Sequence, residues 1–158
     1  GNKGILFSGI GWYTRLEFPY LNNIMEQGEY VHIEQAILKI YPEVGTYSDY
    51  NVLPDSIFLY IADENNVVTD AVKDYLGDEE QSGKLIKDDL FFGNTYYYFD
   101  VSQFMQKELG ASGKNKHNLQ LVFNSDDYTK TLKNMTFSDS NGQFPITLQL
   151  NYKIYESY

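Results

Sequence analysis

Hydrophobic and polar residues alternate along much of this chain. In the segment Ile33–Tyr41, the residues Ala36, Leu38 and Ile40 fall on one face of an extended chain. The segment Ile146–Ile154 alternates most regularly of all. Because successive side chains of a β-strand point to opposite faces, each segment is predicted to be a strand with one buried face. We expect the two strands to lie beside each other near the centre of the core.

Shorter segments predict the remaining elements. Further strands are predicted at Ile5–Phe7, Tyr13–Phe18, Ile57–Ala62, Tyr96–Phe99, Leu119–Phe123 and Met135–Phe137. Apolar residues at helical spacing predict a short helix at Leu21–Met25 and a clearer one at Val101–Leu109, each with a glycine behind it. Weaker helical spacing favours another helix at Thr69–Leu76, and the acidic residues 78–83 are expected to be exposed.

The order of these elements predicts the fold class. Turn signals separate about eight strands, and no strand–helix–strand rhythm is present, which disfavours a doubly wound parallel sheet. Strands with one polar face indicate two packed antiparallel sheets. We therefore predict an all-β fold, an antiparallel β-sandwich of jelly-roll type with two short helices. The length of 158 residues suits a single domain over residues 1–158.

Charge and composition exclude several classes of function. The formal net charge of −10 disfavours binding to nucleic acids and to anionic membrane surfaces, because both carry negative phosphate groups. The chain has no cysteine, so it contains no disulfide, thiolate metal ligand or cysteine nucleophile. No apolar run approaches the roughly 18 residues that a transmembrane helix needs. We expect no transmembrane segment and no nucleic-acid partner.

Several segments resemble a known family when they are taken in order. They are Gly11–Pro19, Ile33–Ile40, Leu53–Ile61, Tyr96–Met105, Asn118–Phe123 and Ile146–Tyr155. The set resembles the C-terminal part of a family of Bacteroidetes lipoproteins of unknown function. The layout is also similar to jelly-roll domains of carbohydrate-binding type in bacterial surface proteins. The resemblance covers nearly the whole chain, and it supplies no functional residue.

The resemblance implies a location and a partner class. It implies export to the outer membrane, the cell surface or the periplasm, with membrane anchoring only through a lipid on an upstream segment. Gly1–Lys3 has the character of a cleavage scar, so we expect the natural protein to begin upstream. The partners expected for such a module are a glycan or another surface protein.

Aromatic residues supply the first candidate ligand site. Trp12, Tyr13, Tyr47 and Tyr50 are all placed where loops are expected or where a strand begins. Sugar rings stack on flat aromatic faces because their C–H groups meet an apolar surface. These four residues are therefore a candidate glycan platform. The alternative is that the rings cover a sheet edge or contact a neighbouring domain.

Arg15 is a second candidate for ligand binding, and it is the only arginine of the chain. Its planar guanidinium suits the clamping of a carboxylate. Glu17 lies two residues away on the same face of the predicted strand. The alternative is therefore a structural ion pair between Arg15 and Glu17 or an acidic loop.

A calcium ion is the one cofactor that the sequence suggests. Asp126, Asp127, Asp139 and Asn141 offer several oxygen ligands within turn-forming segments, and Ca²⁺ prefers such ligands. Their spacing differs from that of an EF-hand. The alternative is a pair of solvated acidic turns without metal.

No catalytic motif stands out. His32 and His117 are the only histidines, and we interpret both as ordinary surface or edge residues. Tyr96–Tyr98 is interpreted as a strand with one side in the core and the other at the surface. We therefore expect no enzymatic activity and a non-catalytic module that binds glycan. The alternatives are a structural or protein-interaction domain that packs on an upstream region, and a polysaccharide hydrolase with a carboxylate pair.

Overall fold

The computed structural model describes residues 3–8, 11–25, 30–74, 76–88, 90, 94–110, 117–124, 133–138 and 144–155. The strands are β1 (Lys3–Phe7), β2 (Thr14–Leu16), β3 (Tyr30–Ile40), β4 (Ser56–Ala62), β5 (Val68–Ala71), β6 (Ser82–Ile86), β7 (Tyr96–Asp100), β8 (Asn118–Phe123), β9 (Asn134–Ser138) and β10 (Thr147–Tyr155). The helices are α1 (Asn22–Met25), a single turn, and α2 (Ser102–Gly110). In the described part of the chain, neither helix is long and apolar enough to cross a membrane.

The strands form one long curled sheet and one separate pair. The long sheet has the order β10–β3–β7–β6–β4–β8–β2, β5 pairs with β4, and β1 pairs with β9. Strand β6 belongs to both halves of the long sheet, because Ser82–Lys84 pairs with β4 whereas Leu85 and Ile86 pair with β7. The sheet therefore folds over at β6. A first layer contains β10, β3 and β7, and a second layer contains β4, β8 and β2.

Side chains from both layers meet in one hydrophobic cluster. The first layer contributes Leu38, Ile40, Tyr97 and Phe99, and the second contributes Ile57, Leu59, Leu119 and Leu121. All of the pairings that join the named strands are antiparallel. The all-β antiparallel sandwich predicted from the sequence is therefore confirmed.

The two most regular sequence segments pair as expected. Strand β10 lies antiparallel to β3, with Leu148 opposite Leu38 and Leu150 opposite Ala36. Ala36 and Leu38 are completely buried, as their alternation predicts. The expectation that both strands lie near the centre of the core is wrong for β10, which stands at one end of the strand order. Leu148, Leu150 and Tyr152 are only half-buried and Ile154 is exposed, because the layer ends there among the described residues.

One prediction between β4 and β7 is wrong and another is confirmed in part. The helix predicted at Thr69–Leu76 is absent, because Val68–Ala71 forms β5 against β4. Of the residues 78–83, the first three are exposed as predicted, whereas Ser82 begins β6. Gly83 is a buried position of that strand. A β-carbon there would lie 2.1 Å from Cζ of Phe99, so the aromatic ring fills the space that a side chain would need.

Helix α2 covers the free edge of β3. Strand β7 pairs with β3 only from Ile37 to Ile40, which leaves the first half of that edge without a strand. The backbone N–H of Ile33 donates to Oε1 of Gln106 at 2.7 Å, and the N–H of Ala36 donates to Oγ of Ser102 at 2.8 Å. Side chains of α2 thus replace a neighbouring strand, and they fix the helix over the sheet.

Candidate functional site

Trp12 and Tyr13 lie immediately before β2, and both side chains are exposed. The ring of Trp12 packs edge-on against Phe7, with 6.2 Å between the ring centroids. Phe7 is the last residue of β1, so this aromatic pair joins the end of β1 to the start of β2. The two predicted ligand-binding residues therefore sit at the surface, close to the end of the long sheet.

Tyr47 and Tyr50 lie on the loop between β3 and β4. Tyr50 is fully exposed, whereas Tyr47 is half-buried against the core cluster. Asn51 holds this loop in place, since its Nδ2 donates to the carbonyl of Thr46 at 2.7 Å. Tyr47 lines a cavity of about 180 Å³, and neither Trp12 nor Tyr13 is among the residues that line it. The same Nδ2 of Asn51 also donates to Oδ1 of Asn134 at 3.3 Å, and Asn134 pairs with Phe7, the ring partner of Trp12. The loop of Tyr47 and Tyr50 therefore lies beside β9, near the end of β1.

Arg15 forms the ion pair that its spacing to Glu17 suggested. Its Nη2 lies 2.6 Å from Oε1 of Glu17, and its Nη1 donates to Oδ1 of Asn66 at 2.9 Å. Both terminal nitrogens of the guanidinium are therefore engaged by other side chains of the protein. Arg15 lines a different cavity from Tyr47.

The predicted calcium ligands Asp126, Asp127, Asp139 and Asn141 lie outside the described residues. Within the ranges that the structure does describe, no group of three or more His, Cys, Asp or Glu side chains is arranged to hold a metal ion.

The outer surface of the first layer carries a group of mostly aromatic side chains, with one lysine and one isoleucine, that we call the aromatic face. Its members are Lys39, Tyr41, Ile86, Tyr96, Tyr98 and Phe144. Residues paired across a sheet share a face, and Tyr98 pairs with Lys39 while Ile86 pairs with Tyr96. Tyr97, between the two outward tyrosines, is buried in the core and its hydroxyl donates to the carbonyl of Pro54. The prediction that Tyr96–Tyr98 divides between core and surface is confirmed.

The rings of the aromatic face contact one another. Tyr41 and Tyr96 have ring centroids 5.5 Å apart, and Tyr41 and Phe144 are 6.3 Å apart with planes at 29°. The ammonium group of Lys39 lies 4.9 Å from the ring centroid of Tyr96. These distances are typical of aromatic pairs and of cation–π contacts. Tyr98 is 44% exposed, so one tyrosine of the face remains widely open to solvent.

A polar cavity lies on the second layer, where β2 and β8 pair. We call it the β2–β8 cavity, and it has a volume of about 200 Å³. Its lining residues are Arg15, Glu17, Phe18, Pro19, Glu64, His117 and Asn118. It therefore combines the only arginine of the chain with one of the two histidines.

A buried glutamate orients the histidine of this cavity. Glu108 projects from α2 and is only 3% exposed. Its Oε1 lies 2.6 Å from Nδ1 of His117, and its Oε2 accepts the backbone N–H of His117 at 3.2 Å. A carboxyl group that accepts from Nδ1–H fixes the orientation of the imidazole ring. His117 is therefore a fixed part of the structure, in contrast to the ordinary surface residue that the sequence suggested.

Asn118 supplies a second polar group with one unused atom. The residue is 2% exposed, and its Nδ2 donates to the carbonyl of Asp63 at 2.9 Å. Its Oδ1 is buried and accepts no hydrogen bond from the described residues. Buried polar atoms are nearly always hydrogen-bonded, so this oxygen marks a position where a donor would be stabilised.

Tyr60 lies in the same row of the second layer as Arg15. Gln120 pairs with Arg15 on one side and with Tyr60 on the other. The hydroxyl of Tyr60 donates to Oε2 of Glu80 at 3.4 Å. Partial burial, followed by the negative charge of Glu80, raises the pKa of Tyr60 above its ordinary value of 10.0. The phenol therefore remains a donor at neutral pH.

Sequence reasoning missed the members of both regions for different reasons. Glu108 lies four residues after Phe104, on the same helical stripe as the apolar residues of α2, and that position was a signal that it is buried. Nothing in the local pattern indicated that Phe144 would lie against Tyr41, because their contact depends on how β10 returns to pair with β3.

Comparisons with known proteins leave the function to be argued from geometry. No family model matches this chain, no curated protein matches it, and no solved structure matches it. The aromatic face and the β2–β8 cavity are therefore interpreted from their own residues.

Proposed function

We propose that this chain is a non-catalytic module that binds glycan on the aromatic face. The observation that carries the proposal is the group of rings on the outer surface of the first layer, with Tyr41 in contact with both Tyr96 and Phe144. Strand alternation sets Tyr96 and Tyr98 on the solvent side of β7. The same strands fill the core with Leu38, Ile40 and Tyr97, so the outward rings are not required there.

The chemistry of the face suits a sugar. Sugar rings present C–H groups on one side and hydroxyl groups at the rim, so they bind where an apolar surface is edged by polar groups. The tyrosine rings and Phe144 provide the apolar surface. Lys39 and Thr147, which pair across β3 and β10, provide polar groups beside it. Contiguous exposed apolar surface on a soluble domain commonly marks a binding site.

The aromatic face replaces the earlier platform as the proposed glycan site. Tyr47, one of the four residues of that platform, is half-buried against the core, so its ring is less open to a sugar. On the aromatic face the ring of Tyr41, just after β3, contacts both Tyr96 of β7 and Phe144, which precedes β10. A single short oligosaccharide can therefore contact several of them.

The proposed setting follows from the resemblance to Bacteroidetes surface lipoproteins. In that setting the domain is exported and held at the cell surface by a lipid on an upstream segment, where it meets polysaccharides. Detection of the full-length protein on intact cells, and its loss after mild protease treatment, tests this part. Protection from protease in intact cells would contradict it.

Binding to polysaccharide tests the proposed function directly. Isothermal titration with xyloglucan, arabinoxylan, mannan and soluble starch should identify at least one ligand of the native chain. Tyr98→Ala should then weaken that binding by about tenfold or more, since one stacking ring contributes roughly 1–3 kcal/mol in comparable sites. Because Tyr98 is exposed, the variant should fold normally.

Tyr20→Ala is the matched control, since it removes another exposed tyrosine that is not part of the aromatic face. Its affinity should equal that of the native chain. If Trp12→Ala or Tyr50→Ala abolishes binding while Tyr98→Ala does not, the glycan site lies at the first predicted platform instead. If none of the polysaccharides binds, the proposed function is wrong.

A structural role is the second candidate, and one observation favours it. Ile86 belongs to the aromatic face and is 40% exposed, and an aliphatic side chain adds less to sugar binding than to a protein contact. In this alternative a second copy of the chain packs on the face. Sedimentation velocity should then show a dimer that Ile86→Ser dissociates. A monomer at all concentrations would contradict it.

A further inference from the structure

The β2–β8 cavity has an excess of negative groups. Among the described residues of the lining, Glu17 and Glu64 contribute carboxylates, and Arg15 is the only basic side chain besides His117. His117 is paired with the carboxyl group of Glu108, so the two together add no net positive charge. The whole chain is also acidic, with a formal net charge of −10. The cavity therefore favours a cationic ligand over an anionic one.

Arg15 does not offer its guanidinium fork to an anion. Its Nη2 is engaged by Glu17 and its Nη1 by Asn66, as described above. The charge of Arg15 is already paired with Glu17, so an anionic ligand would gain less from it than from an unpaired guanidinium. Glu17 is thus neutralised by Arg15. Glu64 is the other carboxylate of the lining, and the described residues show no ion pair for it.

A buried acceptor in the lining calls for a hydrogen-bond donor. Oδ1 of Asn118 is buried and accepts no hydrogen bond within the described part of the chain. An ammonium group has three donors and no acceptor, and its positive charge also suits the carboxylate of Glu64 in the same lining.

Size and shape limit the ligand further. The volume of about 200 Å³ is below the roughly 300–1,000 Å³ of sites that enclose drug-sized molecules. Phe18 and Pro19 give the cavity one apolar wall, on which the C–H face of a saturated ring can lie. The spare N–H groups of Arg15 can serve ring hydroxyl oxygens.

We propose that the β2–β8 cavity binds a single protonated amino sugar, with the ammonium group near Glu64 and Asn118. This site lies on the second layer and is separate from the aromatic face. It goes beyond the proposed function, because it gives the module a second site, which selects a single charged sugar, in addition to the face that binds uncharged glycan. The two proposals can fail independently.

Titration with glucosamine at neutral pH tests the proposal, with N-acetylglucosamine and glucose as the comparison ligands. Acetylation removes the positive charge and glucose lacks the nitrogen, whereas the ring is the same. Glucosamine should bind, and the two comparison sugars should bind at least about tenfold more weakly. Equal binding of all three, or no binding of glucosamine, would overturn the proposal.

Variants locate the site. Glu64→Gln keeps the size of an exposed side chain and removes its charge, so glucosamine affinity should fall by about threefold to tenfold. Glu79→Gln is the control, because it removes an exposed carboxylate that does not line this cavity. An equal loss in both variants would show a general effect of charge and would overturn the assignment.

Two further measurements separate this site from its alternatives. Tyr98→Ala should bind glucosamine as the native chain does, and Glu64→Gln should keep its affinity for polysaccharide. Lysine amide should bind more weakly than glucosamine, because it lacks the ring that would lie on Phe18 and Pro19. If lysine amide binds equally well, the cavity recognises an amine alone and the sugar assignment is wrong.

Discussion

At position 83 the ring of Phe99 occupies the space in which a side chain would begin. A β-carbon built on Gly83 would lie 2.1 Å from Cζ of that ring, and Phe99 is itself fully buried. The ring cannot retreat without disturbing the close-packed core around it. Gly83 is thus a packing requirement of β6.

We expect Gly83→Ala to lower the free energy of unfolding by about 1–3 kcal/mol, because it overpacks the core at a point with no free volume. Urea denaturation measures the change. Gly110→Ala is the matched control, since a β-carbon there meets no atom within 4 Å. An unchanged midpoint for Gly83→Ala would contradict the packing described for Phe99.

Tyr60 provides a pH-dependent contribution to stability. Burial and the nearby Glu80 raise its pKa above 10.0 in the folded protein, so the folded state holds the phenolic proton more tightly than the unfolded chain. That contribution is fully present below the unfolded pKa and is lost as the pH rises through the folded pKa. We expect the unfolding free energy of the native chain to decline more steeply above about pH 10 than that of Tyr60→Phe. Parallel curves for the two proteins would contradict this expectation.

At the scale of elements, α2 joins parts of the fold that strand pairing leaves separate. Ser102 and Gln106 accept hydrogen bonds from backbone N–H groups on the free edge of β3. Glu108 contacts His117, the residue before β8. The helix thus couples the first layer to the residues that line the β2–β8 cavity. Its buried stripe therefore contains a polar residue among the apolar ones.

Removal of Glu108 should disrupt this connection. Glu108→Ala removes the carboxyl partner of two part-buried hydrogen bonds of His117, and at roughly 0.5–1.5 kcal/mol each they contribute about 1–3 kcal/mol together. We expect a loss of unfolding free energy of that size, measured by urea denaturation. Lys107→Ala, at an exposed position of the same helix, should change stability by less than about 0.5 kcal/mol. Equal effects of the two substitutions would argue against the Glu108–His117 contact.

The elements that the sequence predicted correctly are those whose pattern is set by the core. Strand β3 alternates because Ala36, Leu38 and Ile40 all face inward, and α2 repeats its apolar residues because one stripe lies on the sheet. Strands β5 and β6 escaped prediction because they lie along the β4 edge, where β5 is largely exposed and β6 crosses between the layers at a glycine. Their positions depend on pairing with β4 and β7, and a local sequence pattern does not predict such long-range pairing.

The candidate sites were less predictable than the fold, again for a physical reason. Trp12, Tyr13, Arg15, Tyr47 and Tyr50 were selected as individual residues, but proximity depends on strand order. That order brings Tyr41 and Phe144 together on one layer, and it brings Arg15 and His117 together on the other. The outward alternation of Tyr96 and Tyr98 was visible in the sequence, while the neighbours of these rings were not.

At the scale of the whole molecule, the two proposed sites lie on different layers and depend on different forces. The aromatic face contacts sugar through apolar rings, so the salt concentration should have little effect on its affinity for neutral polysaccharide. The β2–β8 cavity depends on carboxylates that are partly open to solvent, and salt screens such charges. We therefore expect added salt to weaken glucosamine binding measured by isothermal titration, and to leave polysaccharide binding nearly constant. The reverse dependence would contradict the division of roles.

The most direct test of glycan binding on the aromatic face is a map of the bound sugar by NMR. Amide and aromatic resonances of the native chain would be followed during titration with a short oligosaccharide of the polysaccharide that binds best. Shift changes should cluster on Lys39, Tyr41, Tyr96, Tyr98 and Phe144, on one layer of the sandwich. Changes centred on Trp12 and Tyr13 or on Tyr47 and Tyr50, with the aromatic face unaffected, would contradict the proposed function.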